Sequence, residues 1–549
     1  MEKRLLLAFI LSFGVLYGFR YLYPPPPVVD KAAKTAVEKP VTPPPPLPAS
    51  PAPVASVTGE ETIQADAAEV MTVKNALYEA TISNVGGVLK SFRLVDKTYL
   101  SNGKPTELID AYAGAKVGFP LAIATADSAL DSVLSQAKFV FQKTTDPNKV
   151  SLEYRAGGVH VLKSFDFNPT KYLLTVSTTA ERNGAPLPHQ LVIQGGFGDQ
   201  SIQPDVPAKK AAVYETAGKY APRVALMGIK DGPAQEVTAS KIGVEDQYFL
   251  AMFLRDSEGP AKVTKSDYKL ADKPDGTEGA AARALHVEIP STQPIQMYIG
   301  PKLGETLADA NPDLPGAVYY GWFLFALIAK PLLVGLRLVH GVIGNWGWSI
   351  IVFTVLINLV LFPLRIKQQV SMQRMQKLAP HMRTLQDKYK KLKPGDPKRA
   401  EVEQELMEMN KQQLSGCLPM LLQMPLLFAF LAMMNAAIEL RGAPWLLWIK
   451  DLSRPDSLYI LPISMGVAMF VQMKMSPTSP DPAQAKMMMI TPILVTLLFL
   501  WYQSASGLTL YWLTGNVIGI VQQQIIKKYW KDKDSDSGSA RRPRKPLPA

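Results

Sequence analysis

The sequence predicts a multi-domain membrane protein: an all-α polytopic bundle of six transmembrane helices, a large β-sandwich domain on the outer side and a helical hairpin on the inner side. Three observations predict it. Five apolar spans crowd the last third of the chain, at 345–364, 417–438, 458–473, 487–502 and 508–526. Each approaches the ~20 residues needed to cross a hydrocarbon core. Between the first two lies Arg365–Gly416, with twelve Lys and Arg against six Asp and Glu, a charge excess that belongs on the cytosolic side. Residues 60–301 change character, with short apolar stretches alternating with polar ones.

The chain opens on Lys3-Arg4 and an apolar run, Leu5–Phe19, extended by Tyr21-Leu22-Tyr23. No small-residue cleavage site follows, so 1–23 reads as an uncleaved anchor with its N-terminus in the cytosol. Residues 24–59 form a tether, because Pro24–Pro27 and Pro43–Pro46 favour extended polyproline II and join no core. In 60–301 the segments Leu162–Phe167 and Tyr172–Val176 alternate, and turns are signalled at Asn84-Val85-Gly86-Gly87, Asp146-Pro147-Asn148 and Asn183-Gly184. This is the pattern of a β-sandwich. Gly195-Gly196-Phe197-Gly198 is better explained by a turn than by a phosphate cradle. Residues 316–344 are apolar only from Ala317 to Ala329; Lys330-Pro331, Arg337 and His340 follow. They read as an amphipathic helix lying in the interface, bent at Pro331.

Span 345–364 then returns the chain to the cytosol. The basic segment 365–416 carries Met375, Leu378, Met382, Leu385, Tyr389 and Leu392 at alternating spacings of three and four, and Val402, Leu406, Met409 and Gln413 repeat the pattern. Two helices with coiled-coil periodicity, broken at Pro394-Gly395-Asp396-Pro397, make an antiparallel hairpin. Its tip carries Lys390, Lys391, Lys393, Lys398 and Arg399, a solvated face or a contact for an anionic or nascent-chain partner. After span 417–438, the loop 439–457 is neutral and lies outside. Loop 474–486 lies inside, with Lys474 and Lys486. Gln503–Gly507 is an uncharged outer turn, and the tail 527–549, eight basic residues against three acidic, lies inside. Hairpin and tail hold nearly all of the net charge of +12, which suits lipid head groups or ribosomal RNA. Span 487–502 covers about 24 Å at 1.5 Å per residue, short of a ~30 Å hydrocarbon core, so local thinning of the bilayer is expected.

Enzymatic and metal chemistry find little support. There is one cysteine, Cys417, and five scattered histidines, with no metal-ligand spacing. No P-loop, GxSxG or HExxH occurs. No cofactor is expected. The informative residues are polar ones inside the spans. Thr354 and Asn358, with Arg365 at the cytosolic end, are offset by four and seven and fall near one helix face. Gln423, Thr509 and Asn516 are placed to face them from other spans. Pairwise helix–helix hydrogen bonds explain single polar residues; a set across several helices favours a watery cavity.

Gly344-Asn345-Trp346-Gly347-Trp348-Ser349-Ile350 resembles the start of the first core helix of the YidC membrane protein insertases. Gly416-Cys417-Leu418-Pro419 with Gln423-Met424-Pro425 is similar to their next core helix. Glu439-Leu440-Arg441, Ala443-Pro444 and Trp448-Ile449-Lys450-Asp451-Leu452-Ser453 resemble their outer loop, and Met475-Ser476-Pro477-Thr478 and Gln522-Gln523-Gln524 complete the order. The resemblance implies the long form of bacteria with two membranes, multi-pass in the inner membrane, with a periplasmic β-supersandwich. It implies insertion and chaperoning of nascent membrane proteins, alone or beside the SecYEG translocon, without an ATP site. The ribosome and the signal recognition particle are expected partners of the basic cytosolic segments, and bilayer lipid surrounds the spans.

By the same resemblance, five core helices enclose a polar groove of Thr354, Asn358, Arg365, Gln423, Thr509 and Asn516, open to cytosol and lipid and closed outside. A greasy exit face maps to Met424, Pro425 and Leu427 on one helix and to Pro492, Ile493 and Leu498 on another. Tyr511-Trp512 maps to an aromatic pair that supports the core, with Trp in place of the usual second Tyr. The family's groove arginine falls at Asn358 here, and Arg365 is expected to supply a shallower positive charge instead. The turn Trp501–Gly507 is two residues longer than usual. The alternatives are a polytopic small-solute transporter, which predicts pseudo-symmetric halves and interrupted midplane helices, and a carbohydrate-processing or intramembrane enzyme, which needs convergent carboxylates or a metal set. The sequence displays neither.

Overall fold

A computed structural model describes residues 62–529, apart from 102, 202–209, 221–222, 227–228, 230–233, 271–280, 322, 393–396 and 476–481; at 371–380, 382–383, 386, 390, 397, 408–424 and 482–488 it describes the backbone alone. The anchor 1–23, the tether 24–59, the hairpin turn with Lys393 and the tail beyond Tyr529 lie outside the described residues.

Alternation builds the first half. In strand Val159–Phe167 the odd positions are buried and the even ones are not, the period-two signature of a strand with one face on a core. It lies between Lys149–Ala156 and Leu173–Arg182, with Val159 opposite Arg182 and Phe167 opposite Leu174. The antiparallel order continues through Ile295–Pro301 and the 21-residue strand Phe249–Lys269 to Gln235–Glu245 and Ala211–Thr216. Asn183 and Gly184 take positive φ of 53° and 77°, turning Leu173–Arg182 back on Ala185–Pro186 as an Asn-Gly pair does in a tight hairpin. A second sheet of four strands, Val70–Lys74, Tyr78–Ser83, Val88–Leu94 and Thr106–Glu107, shares the same core. Tyr78 stacks on Phe92 at 4.7 Å and tilts against Phe167 at 6.3 Å. Two sheets enclosing one hydrophobic layer form a β-sandwich. Three short helices edge it: α1 (Ala111–Val117), capped by Asp110, α2 (Ser128–Gln136), capped by Asp127, and α3 (Gly304–Ala310).

One inward position of Val159–Phe167 holds a lysine. Lys163 is 1 % exposed and donates to the Leu121 carbonyl. Burial lowers its pKa from 10.5 to about 7. The unfolded chain holds this proton up to about pH 10.5 and the folded chain releases it near 7, so stability rises with pH across that window and the cost of burial is greatest below it. Lys163→Met is therefore expected to stabilise the sandwich at pH 7 by about 1–4 kcal/mol, as apolar replacement of buried charge does, and to flatten the pH slope. Denaturant titrations of the full chain at pH 7 and 9, followed by the sheet signal in circular dichroism, check this.

The second half is helical: α4 (Phe323–Ile343), α5 (Trp346–Val360), α6 (Phe362–Lys391), α7 (Pro397–Ala436), α8 (Ile460–Met475), α9 (Pro482–Trp501) and α10 (Ser506–Tyr529). Among the described residues α4 is the one helix long and apolar enough by itself to cross a membrane. It runs unbroken through Pro331. Ala329, Leu333 and Leu336 are buried on one side, while Phe323, Leu327, Val334, Leu338 and Val342 are exposed on another.

Asn345 starts α5, its Oδ1 accepting from the Trp348 amide at 3.2 Å. α5 and the first part of α6 meet at a 58° bend. Pro363 accounts for it: its ring has no N–H to donate and crowds the carbonyl four residues back. The predicted span 345–364 thus crosses a bend. α7 is continuous for 40 residues, joining the predicted hairpin arm and the predicted span 417–438 in one helix. Its first part packs antiparallel to α6, with Leu385 buried against Val402 and Leu406 and Arg399 over the Tyr389 ring at 4.6 Å. α9 begins at Pro482, ahead of the predicted 487, and its apolar part is Met489–Trp501.

Candidate functional site

The polar residues singled out in the spans fall mainly on α5 and α10, which pack together. Thr354 and Asn358 lie one turn apart on α5, both buried. Their hydrogen bonds stay in their own helix. Thr354 Oγ1 donates to the Ile350 carbonyl at 2.6 Å, and Asn358 Nδ2 to the Thr354 carbonyl at 2.7 Å. Thr509, buried on α10, does the same, donating to the Ala505 carbonyl at 3.2 Å. Such back-bonding satisfies a donor without tying one helix to the next. The link that crosses is Gln522, whose Nε2 donates to the Asn358 carbonyl at 3.1 Å.

Several amide ends remain unpaired. Asn358 Oδ1, Gln369 Nε2, Asn516 Nδ2 and Gln522 Oε1 are buried and find no partner among the described residues. The four side chains are 5 to 7 % exposed. A buried polar group left without a partner costs about 1–3 kcal/mol. Water or a polar chain segment would satisfy these four atoms.

Arg365 lies beyond the bend, so the α5 period does not set its direction. It reaches α10 nonetheless. A Cβ built on Gly519 would sit 3.5 Å from Arg365 Nη1 and 2.1 Å from Gln472 Nε2. Gly519 lies one turn from Asn516 and one from Gln522, so α6, α8 and α10 bring polar groups to one level. Gln369, Gln472 and Gln522 are not among the groove residues expected from the sequence. Their signal was present, since Gln472 and Gln522 interrupt apolar spans, but Gln369 sits in the basic segment where a glutamine is unremarked.

The remaining expectations are distributed as follows. Gln423 and Met424 lie on α7, where the backbone alone is described, and Pro425 and Leu427 are half-buried. On α9 Pro492 is buried, whereas Ile493 and Leu498 are exposed and continue a stripe with Ile490, Leu494, Leu497 and Trp501. Tyr511 stacks on Phe430 at 3.4 Å, and Trp512 meets Phe499 edge-on at 5.0 Å. Lys391 and Lys398 are exposed near the end of the α6–α7 pair, and only the backbone of Lys390 is described.

Two family models cover almost all of the described chain: "60Kd inner membrane protein" at residues 338–534 and "YidC periplasmic domain" at 70–334. The membrane protein insertase YidC of Syntrophus aciditrophicus (strain SB) is 32 % identical over 565 residues, covering 96 % of this chain and 100 % of the relative. The chain belongs to the YidC membrane protein insertase family. The YidC of Aromatoleum aromaticum is 35 % identical over 427 residues, 74 % of each chain. A crystal structure of an active YidC insertase with its first transmembrane domain resolved aligns with 86 % of this chain and 96 % of its own, at 17 % identity and a TM-score of 0.34. The β-sandwich is therefore the YidC periplasmic domain, followed by the family's helical region. The alternative of a transporter gains nothing from these matches.

Proposed function

We propose that the chain inserts nascent membrane proteins and helps them fold, through a polar groove between α5, α6, α8 and α10 that opens to cytosol and lipid. The proposed setting is the bacterial inner membrane, crossed six times with both termini in the cytosol and α4 lying in the interface. The α6–α7 pair then forms a cytosolic hairpin. The unpaired amides at Asn358, Gln369, Asn516 and Gln522 carry the reading. Crossing a membrane is costly for a polar segment because hydrocarbon offers its backbone and side chains no partners. Buried amides with free hydrogen-bonding capacity and the water they hold lower that cost over the cytosolic half of the path. The exposed apolar stripe of α9 supports a lipid-side exit, along which burial of a passenger helix supplies the drive at about 25 cal/mol per Å². The action breaks no covalent bond.

SecYEG is proposed as a partner for larger substrates. The basic end of the hairpin, Lys390, Lys391, Lys393, Lys398 and Arg399, is proposed to meet the ribosome or the signal recognition particle. The test of the central reading is reconstitution of the purified chain in liposomes with a small phage-coat-like substrate. Protease-protected insertion without an energy source is expected; none above empty liposomes refutes the proposal.

Arg365 is proposed as the groove's positive charge, in place of one at Asn358. A charge contact worth about 1 kcal/mol corresponds to roughly fivefold in rate. Arg365→Ala is expected to slow insertion of substrates with acidic outer tails by about that factor and to leave neutral-tailed substrates unchanged. Equal rates for the parent chain and Arg365→Ala on acidic tails end the assignment.

A further inference from the structure

The loop between α7 and α8 ties the periplasmic domain to the membrane helices through one buried arginine. Arg441 is 7 % exposed. Its Nε donates to Asp199 Oδ2 at 2.6 Å, Nη1 to the Tyr99 carbonyl at 2.9 Å and Nη2 to Thr106 Oγ1 at 3.0 Å. The guanidinium also lies over the Phe249 ring at 5.3 Å. A buried guanidinium with its fork filled by fixed acceptors is a specific, directional joint. Asp199 is itself held: it follows Gly195-Gly196-Phe197-Gly198, whose three glycines all have positive φ, and a Cβ at Gly195 would fall 2.1 Å from the Gly118 carbonyl. The glycine run is thus a rigid turn that presents the carboxylate.

The same loop grips the start of α10. Arg454 Nη2 donates to the Ser201 carbonyl at 3.0 Å, on the periplasmic domain. On its other side the loop accepts from α10. The Ser506 amide donates to the Arg454 carbonyl at 2.7 Å, and the Gly507 amide to the Leu452 carbonyl at 2.8 Å. Thr509, at the end of the groove nearest this loop, is two residues further.

We propose that Arg441 is a positioning residue: by pinning the loop to the periplasmic domain it fixes the first turn of α10 and keeps the outer rim of the groove shut. The word rim rests on the insertase reading; insertion by the unsubstituted chain in liposomes tests that reading separately. The joint is tested on the full chain in a Cys417→Ser background carrying Thr509→Cys, in vesicles that expose the periplasmic domain. A membrane-impermeant maleimide is expected to label position 509 at least tenfold faster after Arg441→Ala, with Arg441→Lys intermediate. A cysteine replacing Ala80, fully buried in the sandwich core, is expected to keep its rate. Unchanged labelling at 509, or equal acceleration at both positions, overturns the proposal. If Arg441→Ala does not accumulate, Asp199→Asn, which preserves size, decides by the same comparison.

Discussion

Replacing Thr354, Asn358 and Asn516 together with valine, leucine and leucine is expected to abolish insertion in liposomes while the helix bundle stays folded. The expectation follows from where these groups bond. Among the described residues Thr354 and Asn358 donate to carbonyls of their own helix, and the bond Gln522 makes to α5 goes to the main-chain oxygen of Asn358, which leucine retains. No hydrogen bond described between helices is lost. Two buried amide ends without partners among the described residues disappear, and removing such groups is neutral or stabilising. A passenger loses its polar surroundings at the same positions. A barrier raised by about 3 kcal/mol, the upper cost of one unmet polar group, corresponds to more than a hundredfold in rate. Protease-protected insertion is the readout, and an unchanged helical circular dichroism melt is the control. Insertion at the parent rate shows that the groove's polarity is not what admits the substrate.

Phe430→Ala is expected to lower the stability of the helical region by about 3–5 kcal/mol. Phe430 is fully buried on α7, in a cluster with Leu336 of α4, Ile350 of α5 and Leu510 of α10. It stacks on Tyr511 with 14° between the rings. Truncation removes the ring's contacts and leaves a cavity bounded by four helices that cannot all close on it. Phe430→Leu, which refills most of the space, is expected to recover more than half of the loss. Unfolding in detergent, followed by the fluorescence of Trp346, Trp348 and Trp445, measures both. A loss below about 1 kcal/mol for alanine would mean that the helices pack loosely enough to collapse.

The sandwich was legible in the sequence because period-two alternation and turn chemistry are local. The alternation of Leu162–Phe167 falls within strand Val159–Phe167, and the Asn183-Gly184 turn is formed. The helical pair flanking residues 393–396 was legible for the same reason, as Leu385 meets Val402 and Leu406 through a seam set by spacing. The limits of helices were less so. The bend at Leu361 depends on Pro363, which lies inside the expected span 345–364, and α7 runs through the junction of a polar and an apolar stretch because the main-chain hydrogen bonds of a helix do not require its side chains to be of one kind. The buried polar positions of the helices were half visible. Thr354, Asn358, Thr509 and Asn516 announce themselves as polar letters in apolar words. Gln369 does not, and neither does the pairing of Arg441 with Asp199, because no local pattern joins residues 242 positions apart.

That separation has a consequence for how the molecule is made. Synthesis runs from the N-terminus, so Asp199 is translated long before Arg441 exists and waits on its rigid turn for a distant partner. The sandwich core draws almost wholly on residues before 320, with Ile438 the late addition. It is therefore equipped to mature early and alone, as domains do on an emerging chain. Docking becomes the closing event of assembly, once α7 and the loop that follows it have been made. Until that loop is made Asp199 lacks its cation, and the finished joint marks a chain whose two halves have met.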